Sequence, residues 1–266
     1  MTLNDLAISY RAALTIINAG YWANSHLTTF LENTMKKLFR LTFGLALLCA
    51  AFSTATFASS IYFVQGVPGR DYAAATDPAF PLDILLNDGV CYVHGLAFGS
   101  ISGPLTLAPG SYDVKISIAD SLAPCSNAPL VDSTVTIAEK SDYSGVISLN
   151  SSGTPTLSTF TNNLTEVTPN TARVLFAQTT DAATVEVIFE NSASKKLYTY
   201  TVNAGSLLDV TLPAGAYTVE VNNGTTVLVG STDLRLYSLS ANLLFAIGEA
   251  KNGSVVLETK TLRDII

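Results

Sequence analysis

The chain has 266 residues, 48% of them apolar and only 13% charged, against about a quarter charged in an average globular protein, so intrinsic disorder is excluded. Fourteen Lys and Arg against 21 Asp and Glu give a formal charge of −7. That is the wrong sign for a phosphate-binding surface, and no nucleic-acid partner is expected.

Residues 35–58 open with a basic stretch (Lys36, Lys37, Arg40). An apolar run from Leu41 follows, and the segment closes on the small residues Thr56 and Ala58. This three-part pattern predicts a secretory signal peptide over 35–58, cleaved after Ala58. The apolar run falls short of the roughly 20 residues that span a bilayer, so no stable membrane span is expected after processing. Leu48 precedes Cys49 where a lipoprotein would need a small residue, which excludes lipidation. Residues 1–34 are expected to be an upstream start-site extension with Met35 as the true first residue; an unusually long leader is the alternative.

Loss of residues 1–58 removes four of the basic and two of the acidic side chains, with His26, Cys49 and the only Trp, Trp22. What remains holds one histidine, His94, and two cysteines, Cys91 and Cys125. One histidine without a Cys-x-x-Cys cannot supply the usual zinc ligand sets, so neither a metal site nor a cofactor is expected. The nearest approach to a nucleophile elbow, Gly99-Ser100-Ile101-Ser102-Gly103, has Ile at its centre, and no phosphate-binding glycine loop appears. His94 follows a strand-like Cys-Tyr-Val and reads as a surface or packing residue. In an oxidising compartment the even pair Cys91 and Cys125 is most simply a disulfide, and closing that loop stabilises the fold by about 3 to 4 kcal/mol.

Two halves of the chain run in parallel. Ile61–Gln65 answers to Val174–Gln178, Leu82–Leu86 to Val185–Phe189, and Gly145–Ile147 to Phe245–Ile247. The clearest pair is Leu105–Ile116 against Val210–Val221, which share Leu-x-x-Gly-x-Tyr. A period near 100 residues marks a duplicated domain, too long for a solenoid. Within each copy the apolar period is two: Tyr112, Val114 and Ile116 alternate with Asp113, Lys115 and Ser117, as Tyr217, Val219 and Val221 do with Thr218, Glu220 and Asn222. Turn signals such as Asn87-Asp88-Gly89 and Asn222-Asn223-Gly224 punctuate these strands every 8 to 12 residues or so. The expected fold is all-β: two tandem immunoglobulin-like antiparallel β-sandwiches of about seven strands each, over 59–161 and 171–266, joined by a linker at 162–170.

In the shared motif Leu107 and Leu212 are expected to end a strand inside the core. Gly110 and Gly215 supply a positive φ to the turn. Tyr112 and Tyr217 then bury their rings and bond nearby backbone, in the manner of a tyrosine corner. Cys125 falls in a segment, Ala119–Pro129, that the second copy lacks.

The first strand Ile-Tyr-Phe-Val-Gln, the segment Leu-Asp-Ile-Leu-Leu-Asn-Asp-Gly, and Ala-Phe-Gly-Ser-Ile-Ser-Gly-Pro-Leu-Thr-Leu-Ala-Pro-Gly-Ser-Tyr-Asp-Val-Lys-Ile resemble an exported bacterial family, domain of unknown function 4397. The likeness extends over two tandem copies. The second departs from it at Thr179-Thr180-Asp181, where members have a Ser-Pro-Asp-like turn, and it lacks Phe-Gly-Ser. The resemblance implies sandwiches of cell-envelope or secreted proteins and transfers no catalytic residue.

The expected function is therefore a non-enzymatic binding or structural module, periplasmic or secreted, whose partner is an envelope protein or a glycan. Two alternatives stay open on the acidic side chains. Asp71, Asp77, Asp83 and Asp88 would serve a carboxylate-based hydrolase acting on envelope glycans, provided two of them share a pocket. The same four with Asp120 would supply oxygen ligands to a calcium-dependent adhesion module.

Overall fold

The alternating period fixes strands whose one side is apolar, and the computed structural model, which describes residues 58–72 and 77–262, contains sixteen of them. The expected extension 1–34 and all of the expected leader but Ala58 lie outside the described residues. In the first half the strands are β1 (Ser59–Gln65), β2 (Leu82–Leu86), β3 (Val90–Leu96), β4 (Ile101–Leu107), β5 (Gly110–Ile118), β6 (Val131–Ile137), β7 (Asp142–Leu149) and β8 (Pro155–Asn162). The second half has β9 (Thr171–Gln178), β10 (Thr184–Asn191), β11 (Leu197–Asn203), β12 (Leu207–Pro213), β13 (Gly215–Asn223), β14 (Thr226–Leu236), β15 (Ala241–Ile247) and β16 (Val256–Leu262). Each half thus has eight strands, one more than the turn spacing predicts.

The first half pairs its strands in the orders β4-β1-β7-β8 and β3-β2-β5-β6; the second repeats them as β12-β9-β15-β16 and β11-β10-β13-β14. Every strand of the second half occupies the place of the strand eight earlier, which is the duplication expressed as topology. Neighbours are antiparallel except β1 with β7 and β9 with β15, which run parallel. The pairings also correct one alignment read from the sequence. Val64 lies beside Val146, and its counterpart Ala177 beside Phe245, so Val146 corresponds to Phe245 rather than to Ala246. The one-residue difference matters because a slip of one exchanges the two faces of a strand.

Three apolar clusters follow from the pleat. Ile61 and Phe63 of β1 point with Ile84, Val114, Ile116 and Ile147 into the first sandwich. Val174, Phe176, Val187, Phe189, Val219 and Leu244 fill the second. The alternate residues of the same central strands, Tyr62, Val64, Val146, Phe160, Leu175, Ala177, Leu243, Phe245 and Ile247, form a third cluster. The sheet β4-β1-β7-β8 and the sheet β12-β9-β15-β16 therefore bury both faces, one against their own sandwich and one against each other. Such strands read as continuous apolar runs, as Ile61–Val64 and Leu243–Ile247 do. At about 1.5 to 3 kcal/mol per buried side chain, much of it already gained within each sheet, the seam is worth on the order of 10 kcal/mol. Packing there is close enough that a Cβ on Gly66 would stand 2.7 Å from the Ile147 carbonyl oxygen and 3.1 Å from Ile247 Cβ.

The segment between β8 and β9 is fastened down. Arg173 Nη1 donates to both oxygens of Asp209 at 2.7 and 3.0 Å, and Arg173 Nη2 to Thr165 Oγ1 at 3.0 Å. Asn163 Nδ2 reaches Asp209 Oδ2 at 2.7 Å. Across the seam Arg70 donates to the Gly253 carbonyl at 3.1 Å, and Ser254 to the Asp71 carboxylate.

Both copies share a device at the end of their first strand. The fully buried Gln65 accepts from the Val67 N–H at 2.8 Å and donates to the Phe80 carbonyl at 2.8 Å. Its counterpart Gln178 accepts from the Thr180 N–H at 3.1 Å and donates to the Ala182 carbonyl at 3.0 Å. A buried amide satisfied on both sides in this way holds the crossover from one sheet to the other.

Candidate functional site

The densest collection of polar chemistry lies on the outer side of the first sandwich, where β2, β3 and the loop between β5 and β6 meet. Asp83 alternates with the core residues Leu82 and Ile84, so its side chain leaves β2 away from the core. It is nonetheless fully buried, because the loop from Ala119 covers it. Its Oδ1 accepts from the Gly95 N–H at 2.9 Å and lies 2.7 Å from His94 Nδ1; its Oδ2 accepts from the N–H groups of Cys125 at 2.8 Å and Asp120 at 3.3 Å. A carboxylate offers only acceptors, so Nδ1 of His94 carries the proton in this contact. Burial pushes the Asp83 carboxyl upward, but the hydrogen bonds from Cys125, Gly95, His94 and Asp120 outweigh it and hold the group below its ordinary range.

The same loop is tied a second time. Cys91 and Cys125 are joined in a disulfide with a Cα–Cα distance of 5.7 Å. Among the described residues, Asp83 with these two cysteines is the group of three metal-competent side chains that comes together. Its sulfurs are bonded to each other and cannot act as thiolate ligands.

The other acids do not join this site. Asp77 accepts from the Ala79 N–H at 2.9 Å, ordering its own loop. Asp88 holds Lys115 at 2.6 Å, and that contact raises the lysine's pKa. Asp71 is bonded to Ser254 of the second sandwich, and Asp120 caps the N–H groups of Leu122 at 2.8 Å and Ala123 at 3.2 Å. Among the described residues the five aspartates considered as calcium ligands form no common group of three. The four candidates of the hydrolase reading are held by contacts of their own too. Asp83 is sealed from solvent, and Asp71, Asp77 and Asp88 are each engaged by their own partners.

The repeated corners have the hydrogen bond that the motif implies. Tyr112 Oη donates to the Ala108 carbonyl at 2.8 Å and Tyr217 Oη to the Pro213 carbonyl at 2.9 Å. Leu107 and Leu212 are buried. Gly110 has φ +154° with open space where a Cβ would stand, whereas Gly215 has no positive φ; a Cβ there would meet Asn191 Nδ2 at 3.3 Å. The turn in the second copy is thus an ordinary backbone, and a Cβ on its glycine would press on a neighbouring side chain. The ring of Tyr217 is fully buried and that of Tyr112 only partly, so the corner is the tighter in the second copy.

The sequence reading missed the role of Asp83. A lone acid inside the apolar run Leu82–Leu86 was the available signal, and its counterpart Glu186 in β10 shows why the signal is ambiguous. Glu186 is half-exposed, because β13 and β14 are joined by a tight turn with no covering loop.

No helix among the described residues is long and apolar enough to cross a membrane. No curated protein matches the chain. Among solved structures it is similar to the Bacillus anthracis TIE protein, at 13% identity over 72% of this chain and 33% of that one, with a TM-score of 0.24. A leucine-rich repeat protein from Bacteroides thetaiotaomicron is similar at 16% identity over 72% of this chain and 26% of that one, also with a TM-score of 0.24. A Bacteroides uniformis protein whose proposed role is cell adhesion gives 11% identity over 77% of this chain and 98% of that one, with a TM-score of 0.22. The chain spans about a third or less of the first two, and at these scores none of the three bears on function. One family matches: residues 60–188, from β1 into β10, fit the profile described as domain of unknown function (DUF4397), a single match that supports this family for the first sandwich and the start of the second.

Proposed function

We propose that the chain is an exported, non-enzymatic binding or structural module of the bacterial cell envelope or its surroundings, with an envelope protein or glycan as partner. The observation that carries this reading is the use made of its reactive inventory. His94, Asp83, Cys91 and Cys125, the side chains most able to do chemistry, are spent bracing one loop. A disulfide at that point favours an oxidising compartment, as the basic and apolar segment over 35–58 does. The family match is compatible with the same reading, and the acidic surface argues against nucleic acid. Two tandem copies of one family module are the proposed organisation.

The test has two parts. A reporter that is active only outside the cytoplasm, fused after Ser59, is expected to be active, and fractionation is expected to place the untagged chain outside the cytoplasm. Purified protein is expected to leave a panel of envelope glycans and peptides unchanged. Turnover that disappears when a particular carboxylate is replaced would overturn the non-enzymatic reading, and a cytoplasmic, reduced protein would overturn the location.

A further inference from the structure

Strand β1 begins at Ser59, the residue that cleavage after Ala58 would leave first in the chain. Its start enters a pocket of about 320 Å³ lined by Ala58 and Ser60, by Thr106 of β4, and by Lys140, Ser141 and Asp142 where β7 begins. The parallel pairing sets Ser60 beside Asp142, the Ser60 N–H donates to the Ser141 carbonyl at 3.2 Å, and the Ser60 hydroxyl donates to the Asp142 carboxylate. Burial pushes the Asp142 carboxyl above its ordinary range. Tyr62 is raised too, first by burial and then by the Asp142 charge. Asn162 stands directly across the sheet and already has its acceptor engaged. Asn162, the antiparallel partner of Asp142, accepts from Ser144 at 3.0 Å through Oδ1, while its buried Nδ2 has no hydrogen-bond partner.

We propose that this pocket seats the α-ammonium of Ser59 once the leader is removed, with Asp142 as its counter-charge. The inference rests on cleavage after Ala58 in the reading above. Hydrolysis of the Ala58–Ser59 peptide bond by a leader-removing peptidase consumes one water. The C–N bond breaks, the carboxylate leaves on Ala58, and the amine stays on Ser59 and takes up a proton. Ser59 is covalently next to Ser60, whose hydroxyl already touches Asp142, so the new charge arises one residue from that contact, in the pocket that Asp142 lines. An opposite charge at that range favours the ionised form of both groups. An ammonium also brings three donors to the Asp142 carboxylate, which can accept them. Tyr62 feels the Asp142 charge and Lys140 lines the same pocket, and the amine joins them. Processing thereby pins β1, a strand that serves both the core of the first sandwich and the seam.

The seat is tested on the chain 59–266 prepared with a free amine at Ser59 and, for comparison, with that amine acetylated. NMR titration of the Asp142 carboxyl is expected to give a midpoint at least one pH unit lower in the free-amine chain. At pH 7 that chain is expected to melt about 2 to 4 °C higher, and the difference is expected to vanish in Asp142→Asn. An amine whose folded pKa is raised above the ordinary range of about 7.7 to 8.0 stabilises fully below that range, and the advantage is lost as pH rises through the folded value. Equal Asp142 midpoints in the two chains would overturn the seat. The first residue of the exported protein, read by intact mass, separates the two ideas: a start other than Ser59 refutes the cleavage site and leaves the titration result standing on its own.

Discussion

Replacing Asp83 by Asn is the perturbation with the sharpest expected outcome. The substitution keeps the shape of the side chain and exchanges one acceptor oxygen for an NH₂ group. However the amide is turned, that NH₂ meets donors, either the Gly95 N–H with His94 Nδ1 or the N–H groups of Asp120 and Cys125. Each buried donor left unmade costs about 1 to 3 kcal/mol, and bonds to a charged acceptor are the stronger kind. Asp83→Asn should therefore cost about 3 to 5 kcal/mol. With a urea slope of about 2 kcal/mol/M, the midpoint of the transition that reports the first sandwich should fall by about 1.5 to 2.5 M. Circular dichroism is the suitable probe, since the only tryptophan lies in the expected extension.

The acid dependence supplies the check that separates this account from a generic packing defect. The folded-state pKa of Asp83 lies below its unfolded value, so its contribution is present above about pH 3.9 and is lost as pH falls through the folded value. The stability gap between wild type and Asp83→Asn should accordingly be full at pH 7 and shrink once pH drops below about 4. A gap under about 0.5 kcal/mol at pH 7, or one of constant size down to pH 3, would refute the reasoning.

Three further outcomes follow from the same contacts. Replacing Cys91 and Cys125 together by Ala should lower stability by about 3 to 4 kcal/mol and expose the loop after Ala119 to proteolysis, read by limited digestion. Tyr217→Phe should cost about 1 kcal/mol and Tyr112→Phe less, because the Tyr112 ring and hydroxyl are nearer to water; equal costs in urea titrations would argue against the burial difference. Leu243→Asp, at the seam, should break a shared unfolding transition into two by placing a charge among Val64, Leu175 and Phe245, and a calorimetric trace that stays single would speak against the seam as the coupling element.

How much of this was legible beforehand depends on whether the signal was local. Alternation in Tyr112–Ile116 and Tyr217–Val221 and the turn residues between strands are local, and they give all-β sandwiches directly. The disulfide was legible because only two cysteines follow the expected leader. The seam was also written in the chain, as the unbroken runs Ile61–Val64, Val174–Ala177 and Leu243–Ile247, but a run of that length fits any strand buried on both sides and does not say against what. The parallel placement of β1 beside β7 left no local trace, since their pairing spans about 80 residues. Asp83 was unreadable for the same reason: its burial is caused by a loop 36 or more positions later in the chain, beginning at Ala119.

The two copies together say what kind of site the Asp83 cluster is. They share the strand order, the buried Gln65 and Gln178, and the tyrosine corners, which are the parts any such sandwich needs. They differ where β5 runs on through the covering loop to Val131, while β13 turns back to Thr226. With the loop come the disulfide and the burial of Asp83; without it, Glu186 stays half-exposed and needs no donors. Polar groups that appear and disappear with one loop belong to the support of that loop. The charge on Asp83 is placed to collect N–H groups from the start and the middle of the cover, and the disulfide holds the cover down, so the first sandwich can carry a long outer loop that its sheet alone would leave loose.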